Sequence, residues 1–163
     1  MKPLDTARPR RQRHSVHLRR TQAQRGATAI EFALVFPLFF MILYAIITFS
    51  LILVAQQNLT LAASEGARAA LNWQTSTSVD DALTNRGNAA CVAAKQMTAT
   101  LVKSADCTAT PSQCGTGMRC VTVQLSYDYQ TNPLVPTLPL LGFAVPARLS
   151  SSATVQLNPE NIQ

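Results

Sequence analysis

The chain has 163 residues, with 14 Lys and Arg against 8 Asp and Glu and a formal net charge of +6. The charge is segregated: residues 1–25 hold eight of the cations and one acid, whereas the remainder holds six cations and seven acids. A body without basic surplus excludes a basic nucleic-acid-binding fold, and the length allows one modest domain.

The first predicted element is a membrane helix. Residues 32–55, FALVFPLFFMILYAIITFSLILVA, form a run of 24 without a charge. At about 1.5 Å per residue such a helix is about 36 Å long, enough to cross a hydrocarbon core of about 30 Å with some tilt. A buried core helix is disfavoured, because a chain of this size cannot hide an apolar helix on every face. A secretory signal is disfavoured too, since its apolar stretch is about 7–15 residues long. Arg13, Arg19, Arg20 and Arg25 flank the run on its N-terminal side. Positive residues this close to a span stay cytoplasmic, which predicts the N-terminus inside and residues 56–163 outside.

The boundary between head and run reads Arg25-Gly26-Ala27-Thr28-Ala29-Ile30-Glu31-Phe32. A carboxylate at the edge of a hydrocarbon segment needs a partner, because burying it unpaired costs several kcal/mol. Alone, Glu31 could be an interfacial acid favoured by a helix N-terminus. Taken with the basic head, Gly26 and the apolar run, the segment resembles the prepilin signal of the type IV filament superfamily. Within it, Arg25-Gly26, Ala29-Ile30-Glu31-Phe32-Ala33-Leu34, Pro37 and the block Ala62-Ala63-Ser64-Glu65-Gly66-Ala67-Arg68-Ala69-Ala70 look like the TadE-like pseudopilins of the tight adherence (Flp, type IVb) pilus.

The resemblance implies cleavage after Gly26 by a prepilin peptidase, with Ala27 as the new N-terminus and Glu31 fifth. It also implies that Glu31 pairs with the terminal amine of a neighbouring subunit. Two opposite charges enter lipid together at far lower cost than either alone, and glycine lets a protease approach an extended backbone closely. The implied partners are the membrane, the peptidase, other pilins and pseudopilins, and the tight adherence assembly proteins. The implied location is the bacterial inner membrane, the outer domain being periplasmic. Major Flp pilins have Glu-Tyr at the junction and are much shorter; Glu31-Phe32 and the large domain behind it point to a minor component. The alternative is an uncleaved single-pass anchor whose outer domain binds an envelope partner.

Pro37 lies inside the run and frees a carbonyl near Ala33, which predicts a kink or a loosened turn. The helix is expected to continue to about Asn72, with Leu59, Ala62, Ala63, Gly66, Ala69, Ala70 and Trp73 marking one face of mostly small residues and Glu65 and Arg68 able to pair. Ser78 is a fair N-cap for a second helix over 79–103, which Gly87 weakens and whose Asp80 and Asp81 suit its start. Neighbouring aspartates diverge by about 100° on a helix, so they are not read as a metal pair.

Residues 120–129 and 148–157 alternate as strands. Between them runs an apolar loop, 133–146, with four prolines, too many for a helix or central strand. It is expected to pack over the sheet or to face a partner or the membrane surface. The fold class expected is therefore α+β: a cleaved leader over 1–26, a membrane helix over 27–55, and an outer domain over 56–163 with a second helix and a small antiparallel sheet, as in pilins.

Cys91, Cys107, Cys114 and Cys120 all fall in the outer domain, without the spacing of a zinc site. Two disulfides are expected. A second helix reaching Lys103 favours the nested pattern Cys91–Cys120 with Cys107–Cys114; a helix ending nearer Met97 makes Cys91–Cys107 with Cys114–Cys120 as good. No catalytic constellation, metal site or cofactor motif is visible, and an enzyme is not expected.

Overall fold

The computed structural model describes residues 25–136 and 145–158. The leader 1–24 and the centre of the Pro-rich loop lie outside the described residues. Five elements follow in chain order: α1 (Arg25–Ala69), α2 (Val79–Thr98), β1 (Asp106–Gly115), β2 (Met118–Asp128) and β3 (Arg148–Leu157). The chain divides into two units, Met1–Ile42 and Leu43–Gln163.

In the first unit the described part is the N-terminal stretch of α1. Its apolar side chains, among them Ile30, Phe32, Leu34, Val35, Leu38 and Phe39, are exposed. Phe32, Phe36 and Phe40 recur every fourth residue, so their rings stack along one face with centroids 5.2 and 6.4 Å apart. By length and composition α1 is the one described helix able to cross a membrane.

The second unit is built on a three-stranded antiparallel sheet in the order β1-β2-β3. β1 and β2 form a tight hairpin that turns at Gly117, whose φ of 74° is the left-handed conformation glycine adopts without steric cost. The central strand alternates as its sequence does. Val121, Val123, Leu125 and Tyr127 are buried, while Thr122, Gln124 and Ser126 are not, which is the mark of a sheet covered on one face.

The residues that cover it come from the helices. Ile52, Ala55, Leu59, Ala62 and Ala63 of α1 join Ala94 of α2 and Leu125, Tyr127 and Tyr129 in one core cluster. Ala67, Ala70, Ala82, Leu83 and Ala90 join Val121, Val123 and Leu157 in the other. Alanines bring the helices close, and Gly66 marks the tightest approach: a Cβ there would lie 2.9 Å from the Ala90 carbonyl oxygen, 3.0 Å from the Ala94 methyl and 3.2 Å from Val123. Gly87, which costs α2 helix propensity, faces Ala109 of β1 and lets helix and strand touch.

Four differences from the expected elements have physical causes. The helical face ends earlier: Ala69 is only half-buried, and Trp73, beyond the end of α1, is exposed. α2 stops at Thr98 instead of Lys103. Its start at Val79 is as expected, with the Asp81 amide donating to the Ser78 hydroxyl at 3.2 Å. Strand β1 was not foreseen, because Asp106–Gly115 carries Pro111, two cysteines and little alternation. It forms because it is an edge strand, where proline is tolerated and one face needs no apolar side chains.

The fourth difference is the disulfide pattern, Cys91–Cys107 and Cys114–Cys120, which corrects the nested expectation. With α2 ending at Thr98, Cys91 is about 10 Å from the helix end at 1.5 Å per residue. The nine residues from there to Cys107 span far more at about 3.3 Å each. Cys120 pairs in register with Ser112, two residues from Cys114, so the hairpin itself brings the second pair together.

Candidate functional site

The junction between head and apolar run sits at the start of α1. The helix begins at Arg25, so Gly26 lies in its first turn, where backbone N–H groups lack helical partners and unwinding costs least. Gly26 is exposed, and a Cβ placed on it would meet nothing within 4 Å. Close packing therefore does not explain this glycine; an unobstructed backbone does suit an enzyme that must grip it. Ala27 follows within the same turn.

Glu31 is exposed and lies past the first turn of α1, which contains no acidic residue. The N-terminal charge effect fades within a turn, so that effect does not account for Glu31 in the intact chain. Arg68 and Glu65 form an ion pair, 3.6 Å apart in the C-terminal part of α1, as their spacing predicts. If Ala27 were the first residue, Glu31 would be fifth, back within reach of a helix N-terminus and a free amine.

Pro37 stands within α1, which continues through it. Proline has no N–H, so the Ala33 carbonyl lacks its usual donor there. That makes these turns the place where α1 bends most cheaply.

The second unit contributes structural polar contacts. Asp81 accepts from the Thr77 hydroxyl at 2.6 Å. That bond, with the one from Ser78, holds the Asp81 carboxyl below its ordinary pKa. This aspartate thus helps to fix the start of α2. Among the described residues no group of three His, Cys, Asp or Glu is placed to hold a metal ion.

Tyr129 is 1% exposed, its hydroxyl lies near the backbone of Leu134 and Val135, and burial pushes its pKa up. An open groove of about 470 Å³ lies between α1 and α2, lined by Glu65, Arg68, Asn72, Gln96 and Met97 among others. It gathers no nucleophile with a base.

Two features have partners that the sequence does not reveal. Arg86, a cation on the face of α2 that also carries Ala82, Leu83 and Ala90, is 3% exposed, and its guanidinium donates to the carbonyls of Ala70 and Leu71 at 3.3 Å each. A cation at a helix C-terminus meets both its unpaired carbonyls and its dipole. Tyr44, inside the apolar run, donates its hydroxyl to the Pro136 carbonyl. Both depend on segments distant in the chain, which periodicity cannot reveal.

No curated protein and no solved structure matches the chain. The family model of the TadE-like proteins matches residues 26–68. The match opens on Gly26, takes in Glu31, Pro37 and the whole apolar run, and stops one residue before α1 ends. Residues 26–68 are thus similar to the TadE-like proteins, and α2 and the three-stranded sheet lie beyond the match.

Proposed function

We propose that this chain is a minor pseudopilin that acts in assembly or priming of a tight adherence (Flp, type IVb) pilus, with a structural rather than an enzymatic role. The observation that carries this reading is the coincidence of the TadE-like match with Gly26, Glu31 and the membrane-capable helix α1. In this reading the basic leader stays cytoplasmic, a prepilin peptidase cuts after Gly26, and the α+β unit faces the periplasm. Two disulfides fit an oxidising compartment. The leader takes a net +7 with it and leaves 137 residues of side-chain charge −1. The new amine and Glu31 then satisfy each other between subunits, which lets a carboxylate sit at the lipid boundary.

Mass spectrometry of the protein extracted from membranes tests the processing. The expected mature chain starts at Ala27; an intact N-terminus, or one near Ala55, overturns the reading. Glu31→Ala is expected to leave membrane insertion unchanged and to reduce pilus formation at least several-fold; normal piliation would remove the pairing role from Glu31.

A further inference from the structure

An apolar helix needs about 20 residues to cross a hydrocarbon core of about 30 Å. Between Glu31 and the end of the first unit at Ile42 there are eleven uncharged residues, about 16 Å of helix at 1.5 Å per residue. The rest of any crossing has to come from residue 43 onward, where α1 is already clothed by its own outer unit. Tyr44 is bonded to Pro136, and Thr48 and Ile52 are each only 6% exposed. Leu134 and Val145 pack against the cluster that contains Ile52. The described ends of the connection between β2 and β3 are therefore fastened to a stretch of helix that the bilayer must reach.

The chemistry of that connection agrees. Asp128 and Arg148 are opposite each other in register, and no charged residue stands between them in the sequence. Four of the intervening residues are prolines, which bring no N–H to desolvate. Among the described residues of the connection, the Pro136 carbonyl accepts from Tyr44, the Asn132 carbonyl accepts from Tyr127 at 2.6 Å, and the Ala147 carbonyl accepts from the Gln130 amide at 3.1 Å. Satisfied backbone is the condition for irregular chain to enter lipid. On the other side of the same helical stretch Ile46, Ile47, Phe49 and Leu53 are exposed.

We propose that the β2–β3 connection, through residues 133–136 and 145–147, is a membrane-contacting surface that dips with α1 into the acyl-chain boundary of the bilayer. Its partner is the lipid chains rather than the phosphates, because the surface carries no cation. The domain is then seated in the membrane by two apolar elements instead of tethered by one. This requires that α1 spans a bilayer and is independent of whether the chain serves a pilus.

The full chain, reconstituted in phosphatidylcholine–phosphatidylglycerol vesicles, supplies the test. Its single tryptophan, Trp73, lies beyond the end of α1 and reports the aqueous side. In a Trp73→Phe background, Val135→Trp and, separately, Ile46→Trp place the probe on the connection and on the exposed helix face. Acyl-chain bromolipids are expected to lower the emission of both about twofold, with little effect of aqueous iodide, whereas native Trp73 responds to iodide alone. Quenching of Ile46→Trp by bromolipid with Val135→Trp open to iodide overturns the proposal and leaves the span intact. Loss of bromolipid quenching at both sites overturns the proposal together with the span. Shielding of Val135→Trp from both quenchers at high protein-to-lipid ratio alone assigns the surface to a second copy of the chain, and also overturns it. Retention of the Cys91–Cys107 link in non-reducing peptide maps verifies folding; Ala147→Trp, at an exposed position, repeats the measurement if Val135→Trp fails that check.

Discussion

At Gly66 the missing Cβ sets how near α1 comes to α2. Alanine there would gain about 1 kcal/mol of helix propensity but place a methyl 2.9 Å from the Ala90 carbonyl. That neighbour is helix backbone and cannot step aside, so overpacking of about 1–3 kcal/mol outweighs the gain. Gly66→Ala is expected to lower stability by about 1–2 kcal/mol, read as a lower urea midpoint for the outer unit in detergent. The small-residue face was legible in the sequence: Leu59, Ala62, Ala63, Gly66 and Ala70 are all buried. Trp73 was misassigned because a periodic pattern gives no sign of where a helix stops, and α1 stops at Ala69. At the junction Gly26 and Glu31 stood out in the sequence, and both are exposed.

Among the elements, α1 and α2 are coupled end to side by Arg86. Its guanidinium supplies donors to Ala70 and Leu71 in a place that water does not reach freely. Arg86→Met keeps much of the side-chain volume and removes those donors. A loss of about 1–3 kcal/mol is expected, the cost of leaving buried polar groups unpaired. Hydrogen exchange should show it first at the amides of Ala70, Leu71 and Asn72, which close the last turn of α1. Strands β2 and β3 were legible because alternation is a local signal. β1 was hidden because an edge strand with Pro111 and two cysteines has little alternation to show. α2 was overextended because nothing between Thr98 and Lys103 breaks a helix in sequence.

For the whole second unit the two disulfides do different work. Cys91–Cys107 joins α2 to β1 across 16 residues, and Cys114–Cys120 closes a hairpin across 6. The entropy lost by the unfolded chain grows with loop size, which predicts about 3 kcal/mol for the first and about 2 kcal/mol for the second. Replacing Cys91 and Cys107 together by serine should therefore lower the urea midpoint more than replacing Cys114 and Cys120. Equal effects would show that loop size does not govern their contribution.

Local chemistry determined much of this protein without reference to its fold. The segregated charge, the 24-residue apolar run, the Gly26–Glu31 spacing and the alternating strands are all properties of neighbouring residues. They yielded the membrane-capable helix, the α+β class and the likeness of the junction to the TadE-like proteins. The net charge of +6 belongs to the head, not to the folded body. Tertiary structure decided which cysteines pair, that Arg86 is buried at the end of α1, and that the β2–β3 connection is fixed to Tyr44. Each of these brings together segments far apart in the chain, and their meeting depends on where helices end and how sheets register. Those are outcomes of packing the whole unit, which no window of sequence contains.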